Sequence, residues 1–137
     1  MSATCPIERI GVLTGGGDCP GMNAVIRAVV KTGLLDYGLE AVGILDGYDG
    51  LVRNNMVELD YEDVSGILTA GGTILGTSNK AHPFRYVPPG GDPDDAEDRS
   101  DECLANFRAA GLDVLFCIGG DGTLSIAHRL AGKGIPV

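Results

Sequence analysis

Two places in the chain carry an apolar run straight into a glycine cluster and then into an amphipathic stretch, and this pairing restricts the fold more than any other feature. The later one reads Val114-Leu115-Phe116-Cys117-Ile118, then Gly119-Gly120-Asp121-Gly122, then a helical pattern opening at Thr123. The earlier one reads Ile10-Gly11-Val12-Leu13, then Thr14-Gly15-Gly16-Gly17-Asp18-Cys19-Pro20-Gly21, then Met22, Val25, Ile26, Val29 and Val30 at helical spacing. Glycine leaves backbone N–H groups uncovered and permits positive φ, while a helix N-terminus offers unpaired donors and a partial positive charge. Such a corner suits phosphate. A bare carboxylate would repel phosphate, so Asp121 makes electrostatic sense there with a divalent cation between the two. Taken alone, Gly-Gly-Asp-Gly is equally a tight turn. The second corner shifts the balance toward a binding site, because in open parallel α/β sheets such corners gather at the carboxyl ends of the strands.

The coarse order is strand 8–14, helix 21–36, strand 40–45, a short helix near 61–69, a turn-rich segment 70–80, a loop, helix 98–110, strand 113–118, helix 123–133 and then Ile135-Pro136-Val137. Alternating strands and helices predict parallel βαβ units with flanking helices. The last three residues read as the opening of a further strand, so a truncated domain is expected. A chain of 137 residues with 44% hydrophobic content supports one modest core. No run is long enough to span a membrane and Met1–Pro6 lacks the pattern of a signal peptide, which predicts a soluble, cytoplasmic protein. The cysteines at 5, 19, 103 and 117 have neither C-x-x-C nor zinc spacing and read as reduced thiols. Of the formal charge of −9, most resides in Asp92, Asp94, Asp95, Glu97, Asp98, Asp101 and Glu102, set against Arg99. This is a solvated acidic loop, 88–98, running into a helix N-terminus. With no basic patch and 5% aromatic residues, nucleic acid is excluded as a partner.

Four segments in order carry a family resemblance: Gly11-Val-Leu-Thr-Gly-Gly-Gly-Asp-Cys-Pro-Gly-Met-Asn23, Leu45-Asp-Gly-Tyr-Asp-Gly-Leu51, Gly71-Gly-Thr-Ile-Leu-Gly-Thr-Ser78 and Gly119-Gly-Asp-Gly-Thr123. Together they resemble the N-terminal portion of 6-phosphofructokinase. The resemblance implies an α/β fold with an open parallel sheet and flanking helices, Rossmann-like and of phosphofructokinase type. It implies transfer of the γ-phosphate of ATP to the 1-hydroxyl of fructose 6-phosphate with Mg²⁺ as cofactor, in a protein that is a homo-oligomer at full length. By that resemblance Gly17 lets backbone approach the phosphates, while Gly120, Asp121, Gly122 and Thr123 cradle the nucleotide. Asp121 is the implied Mg²⁺ ligand, acting through water. The family's catalytic base lies in a Thr-Ile-Asp motif expected beyond Val137, so no catalytic residue is assigned within the chain, and the sugar-phosphate domain is absent.

The loop corresponding to the family's charge-neutralising arginine reads Asn79-Lys80 here, a version similar to a subgroup containing both ATP and pyrophosphate users. Lys80 can supply charge but no bidentate fork. A pyrophosphate-dependent enzyme and a non-catalytic nucleotide-binding piece stand as alternatives. Lipid and NAD kinases share Gly-Gly-Asp-Gly-Thr but are opposed by the Gly-Gly-Asp-x-Pro-Gly-Met-Asn block. Arg27 and Lys31 stand where allosteric members carry arginines. Asp18 reads as a turn residue rather than a base, and His82 and His128 as structural or solvated. Tyr48 is read either as packing on the nucleotide or as an ordinary half-buried loop residue.

Overall fold

The computed structural model describes residues 7–16, 21–68, 70–78, 81–88 and 90–137. Strand β1, Arg9–Thr14, is the apolar run of the first corner, and helix α1, Met22–Asp36, follows it. Next come β2, Glu40–Ile44, α2, Tyr48–Arg53, β3, Met56–Leu59, and α3, Tyr61–Val64. After two short 3-10 turns, Pro83–Arg85 and Pro93–Asp95, the chain forms α4, Ser100–Ala109, β4, Val114–Ile118, and α5, Asp121–Gly132. The sheet order is β3-β2-β1-β4. β1 runs parallel to β2 and to β4, whereas β3 closes the β2 side antiparallel, with Ala41 opposite Leu59 and Ile44 opposite Met56. The sheet is thus mixed and mostly parallel.

Alternation along the central strands separates two cores. Ile10 and Val12 of β1 join Ala41, Ile26, Val30, Leu59, Val64 and Leu75 on the face covered by α1 and α3. Leu13, Val42, Ile44 and Leu115 face the other way, onto Tyr48, Leu51, Cys103, Phe107, Ile126 and Leu130 of α2, α4 and α5. Helices therefore cover both faces, and among the described residues none is long and apolar enough to cross a membrane.

Several local expectations are corrected. α2 and β3 are additional to the elements that the sequence predicts, since Tyr48–Arg53 is a helix of six residues and β3 has two exposed positions at its centre, leaving little periodicity to read. α3 stops at Val64 rather than continuing to 69, two residues before Gly66 turns to φ +79°. Val25 is 43% exposed while Asn23 is buried, so the inward stripe of α1 is Met22, Asn23, Ile26, Val30 and Gly33. Residues 135–137 form no strand. Ile135 is buried and Pro136 C=O accepts the Leu115 N–H at 2.9 Å, but a single bond does not make a ladder.

The amino-terminal pole of the sheet is held by charge. Arg9 pairs with Glu40 at 2.9 Å and with Glu58 at 3.1 Å, tying β1, β2 and β3 together. The Asp113 carboxylate accepts the backbone N–H groups of Glu8 at 2.8 Å and Arg9 at 3.0 Å, which holds its carboxyl below the usual carboxylate range. A depressed folded pKa adds stability that is complete above the unfolded value, about 3.9, and is lost as pH falls through the folded one. Asp113→Asn is therefore expected to lower the denaturant midpoint at neutral pH, with a gap that begins to close below about pH 4 and vanishes only once pH has fallen through the lower folded value. Chemical unfolding across a pH series reads the gap, and a gap independent of pH would reject the assignment.

Candidate functional site

The chain leaves β1 outward to β2 and β3, then returns to place β4 on the other side of β1. This reversal makes the carboxyl ends of β1 and β4 the topological switch point of the sheet, where a crevice opens because the following helices depart to opposite faces. α1 lies on one face and α5 on the other. Gly15 and Gly16 of the first glycine corner and Gly119–Gly122 of the second stand here.

The corners are bonded to each other. Gly15 N–H donates to Ile118 C=O at 2.8 Å, extending the β1–β4 ladder by one rung. Thr123, 5% exposed, wedges its side chain between the loops. A Cβ on Gly15 would strike Thr123 Oγ1, and one on Gly119 would lie 2.5 Å from Thr123 Oγ1 and 2.8 Å from Gly15 O. Glycine at 15 and 119 is thus required by close approach. Behind this wedge, the Tyr48 hydroxyl donates to Thr123 C=O at 2.7 Å. Tyr48 is 3% exposed and opens α2 within the core, so it is neither the ligand-packing nor the half-buried loop residue of the two readings. Burial, with Cys117 nearby, raises its pKa.

Gly120 and Gly122 differ from Gly119 in kind. Neither has positive φ, contrary to the expectation for this cluster; Gly120 is extended at φ −93° and ψ −160°, and Gly122 lies in the first turn of α5. A Cβ on either would meet nothing within 4 Å. Neither backbone conformation nor packing calls for glycine at these positions, and in a helical turn Gly122 costs about 0.5–1 kcal/mol relative to alanine. Between them Asp121 is the exposed first residue of α5, two residues earlier than the sequence pattern placed the helix start. Gly120 supplies no side-chain cap, and Leu124 N–H, bonded to Gly120 C=O at 3.0 Å, is the first to donate back. The N–H groups at the start of α5 therefore face the open space left by the two missing side chains. An aspartate in the first turn is favoured by the helix dipole alone. The glycine on each side of it is what the fold leaves unexplained and a ligand approaching the backbone explains.

The other two motif segments meet the same place. Thr14 Oγ1 donates to Gly76 C=O at 2.8 Å and lies 2.9 Å from Thr73 Oγ1, while Asp46 N–H donates to Leu75 C=O at 2.8 Å. A Cβ on Gly47 would stand 2.8 Å from Thr14 O. Beyond these contacts opens a cleft of about 760 Å³ whose walls include Asp46, Asp49, Thr77, Ser78 and Tyr86. The far wall is Pro88, Gly90, Gly91 and Pro93, so part of the acidic loop is a cleft wall and not merely a solvated connection. Its neck is closed by paired backbone bonds between Tyr86 and Glu97, at 2.6 and 2.8 Å. Tyr86 donates its hydroxyl to Asp49 at 2.7 Å, and burial together with that bond pushes its pKa up to about 12.

Of the sequence-predicted site residues, Gly120, Asp121, Gly122 and Thr123 are brought together at the switch point, with Thr123 turned inward as the wedge. Gly17, Asn79 and Lys80 lie outside the described residues, as do Asp18, Cys5 and Cys19. His82 is structural: its Nδ1 accepts Phe84 N–H at 3.2 Å, and burial followed by Arg129 lowers its pKa. Burial pushes Cys103 up to about 12 and Cys117 up to about 11, so neither thiol is poised as a nucleophile. Among the described residues no three His, Cys, Asp or Glu side chains form a metal-sized cluster. A cation at Asp121 would take its remaining ligands from water and phosphate oxygens, the arrangement Mg²⁺ favours.

The phosphofructokinase family model matches residues 9–137. The chain belongs to the phosphofructokinase family. It is 50% identical over 133 residues to the ATP-dependent 6-phosphofructokinase 2 of Clostridium perfringens, covering 96% of this chain and 36% of that protein. It is 43% identical over 129 residues to the pyrophosphate–fructose 6-phosphate 1-phosphotransferase of Dictyoglomus thermophilum, covering 94% of this chain and 34% of that protein. Phosphofructokinase of Pichia pastoris in the T-state superposes with a TM-score of 0.80 at 32% identity, over 97% of this chain and 13% of that one. The chain thus spans about a third of the length of these curated relatives, and both kinds of phosphoryl donor occur among them.

Proposed function

We propose that residues 1–137 are the nucleotide-binding portion of an ATP-dependent 6-phosphofructokinase, a glycolytic enzyme of the cytoplasm that is a homo-oligomer at full length and transfers the γ-phosphate of ATP to fructose 6-phosphate. The observation that carries this reading is the pair Gly120 and Gly122, which flank Asp121 at the switch point without any structural need to be glycine. The N–H groups at the start of α5 bind phosphate oxygens, and the Asp121 carboxylate orients the cation that accompanies them. Mg²⁺, when bound, neutralises charge on the phosphates and so eases in-line transfer. Gly17, Asn79 and Lys80 complete the phosphate contacts in this reading.

The open space at Gly122 favours ATP over pyrophosphate, since it leaves a path for a phosphate chain to continue toward a nucleoside. The cleft between Ser78 and Pro93 is of a volume that suits a nucleoside-sized group and that pyrophosphate would leave unused. The chain carries no Thr-Ile-Asp, and by family resemblance the base and the sugar-phosphate site belong to segments it does not contain. The purified chain is therefore expected to bind Mg-ATP more tightly than Mg-pyrophosphate in calorimetric titration and to form no fructose 1,6-bisphosphate in a coupled assay. Tighter binding of pyrophosphate would replace the donor, and product formation would place the base within the chain.

A further inference from the structure

The turn at 70–76 has no helix or strand of its own, yet it aims the residues that follow it into the cleft. Asn23, in the first turn of α1, is 2% exposed, and its side-chain hydrogen-bonding groups all engage that turn. Its Nδ2 donates to Ala70 C=O and Gly71 C=O, each at 3.2 Å, and its Oδ1 accepts Ile74 N–H at 2.6 Å. Its backbone N–H donates to Gly72 C=O at 3.1 Å. From the β1 side, Thr14 holds Gly76 and Thr73, and Thr73 Oγ1 accepts Leu75 N–H at 3.1 Å. A buried amide is tolerated only when its partners are supplied. Asn23 meets that condition by joining the first turn of α1 to the turn that leads to Thr77 and Ser78 at the cleft wall.

We infer that Asn23 is a positioning residue that sets the spacing between the flanks of the first glycine corner, Gly15–Gly16 and Gly21, and Thr77–Ser78 beyond the turn, so that both engage one polyphosphate at once. The inference rests on the nucleotide reading given above. A ligand with several phosphates must bridge the two segments and depends on their separation, whereas a monophosphate engages one of them and does not.

Asn23→Asp keeps the size and the acceptor for Ile74 N–H but removes both donors and sets a carboxylate against the carbonyls of Ala70 and Gly71. Titration of the isotopically labelled chain by amide NMR measures affinities into the millimolar range and reports the fold in the same spectra. Asn23→Asp is expected to weaken Mg-ATP about tenfold and AMP less than about twofold, lowering the ratio of the two affinities. Equal weakening of both ligands, or no weakening of either, overturns the inference. Should that variant not fold, Thr73→Val loosens the same turn from the β1 side and is expected to lower the same ratio about threefold; an unchanged ratio overturns it equally. Wild type binding neither ligand would remove the nucleotide reading itself, which separates the two failures.

Discussion

Asp121→Asn is expected to weaken Mg-ATP binding about 10- to 100-fold and to abolish the dependence of ATP affinity on Mg²⁺, while leaving the fold intact. The substitution preserves shape at the first position of α5 and removes only charge. Its cost to the helix is confined to the loss of a favourable dipole interaction, about 0.3–1 kcal/mol, because the residue is exposed and packs on nothing that the core needs. The effect on ligand should be far larger, since among the described residues Asp121 is the carboxylate at the start of α5 that would hold the cation among phosphate oxygens. Calorimetric titration of ATP with Mg²⁺ and with EDTA, on wild type and variant, separates the two contributions. A variant whose ATP affinity keeps the wild-type dependence on Mg²⁺ would remove Asp121 from the cation site. In a full-length phosphofructokinase carrying this segment, the same change should lower turnover severely.

Gly122→Asp should move stability and binding in opposite directions. The position lies in the first turn of α5, where a carboxylate is favoured by the dipole and any non-glycine residue restricts the unfolded chain, and a Cβ there meets nothing within 4 Å. The variant is therefore expected to be more stable by about 0.5–1 kcal/mol. Its second carboxylate, next to Asp121, would occupy the open space at Gly122 that, in the proposed function, the phosphate chain of ATP crosses toward the nucleoside. Like charges about 4 Å apart at an effective dielectric constant near 20 oppose each other by as much as about 4 kcal/mol, so a loss of roughly 100-fold in Mg-ATP affinity is expected. Pyrophosphate, which ends before that point, should be affected far less. Denaturant midpoints and titrations with each donor measure both arms. A variant that is stabilised and still binds Mg-ATP like wild type would show that the phosphate chain passes elsewhere, and a wild type that strongly prefers pyrophosphate would end the ATP assignment.

Both predictions use residues that were legible without coordinates, and the reason is local. An apolar strand, a glycine cluster and an amphipathic helix occupy consecutive positions, so periodicity and composition disclose them, as with Val114–Ile118, Gly119–Gly122 and α5. The same holds for β1, α1, β2 and α4, whose bounds shifted by one or two residues at most. α2 and β3 escaped because six and four residues present too few periods to separate a short element from a loop. Tyr48 could be read as either ligand-facing or half-buried for a related cause: nothing adjacent to Asp46-Gly47 reveals that its hydroxyl reaches Thr123, 75 residues later. Asn23 passed as an ordinary residue of a motif because its partners lie 47 to 51 positions away.

The order of residues by itself determined that two strand–glycine–helix corners exist, that each carries a single carboxylate, Asp18 or Asp121, and that strands and helices alternate around them. Those properties depend on side-chain type within a few positions. Only the tertiary structure decided that β4 stands beside β1 and not beside β3, which brings the two corners into one crevice. It also divided the glycines by role: Gly15 and Gly119 yield to Thr123, whereas Gly120 and Gly122 yield to nothing in the protein and leave room for a ligand. The physical reason is that a missing side chain acquires its meaning from what stands opposite it, and that neighbour is set by strand order and helix packing across the whole chain.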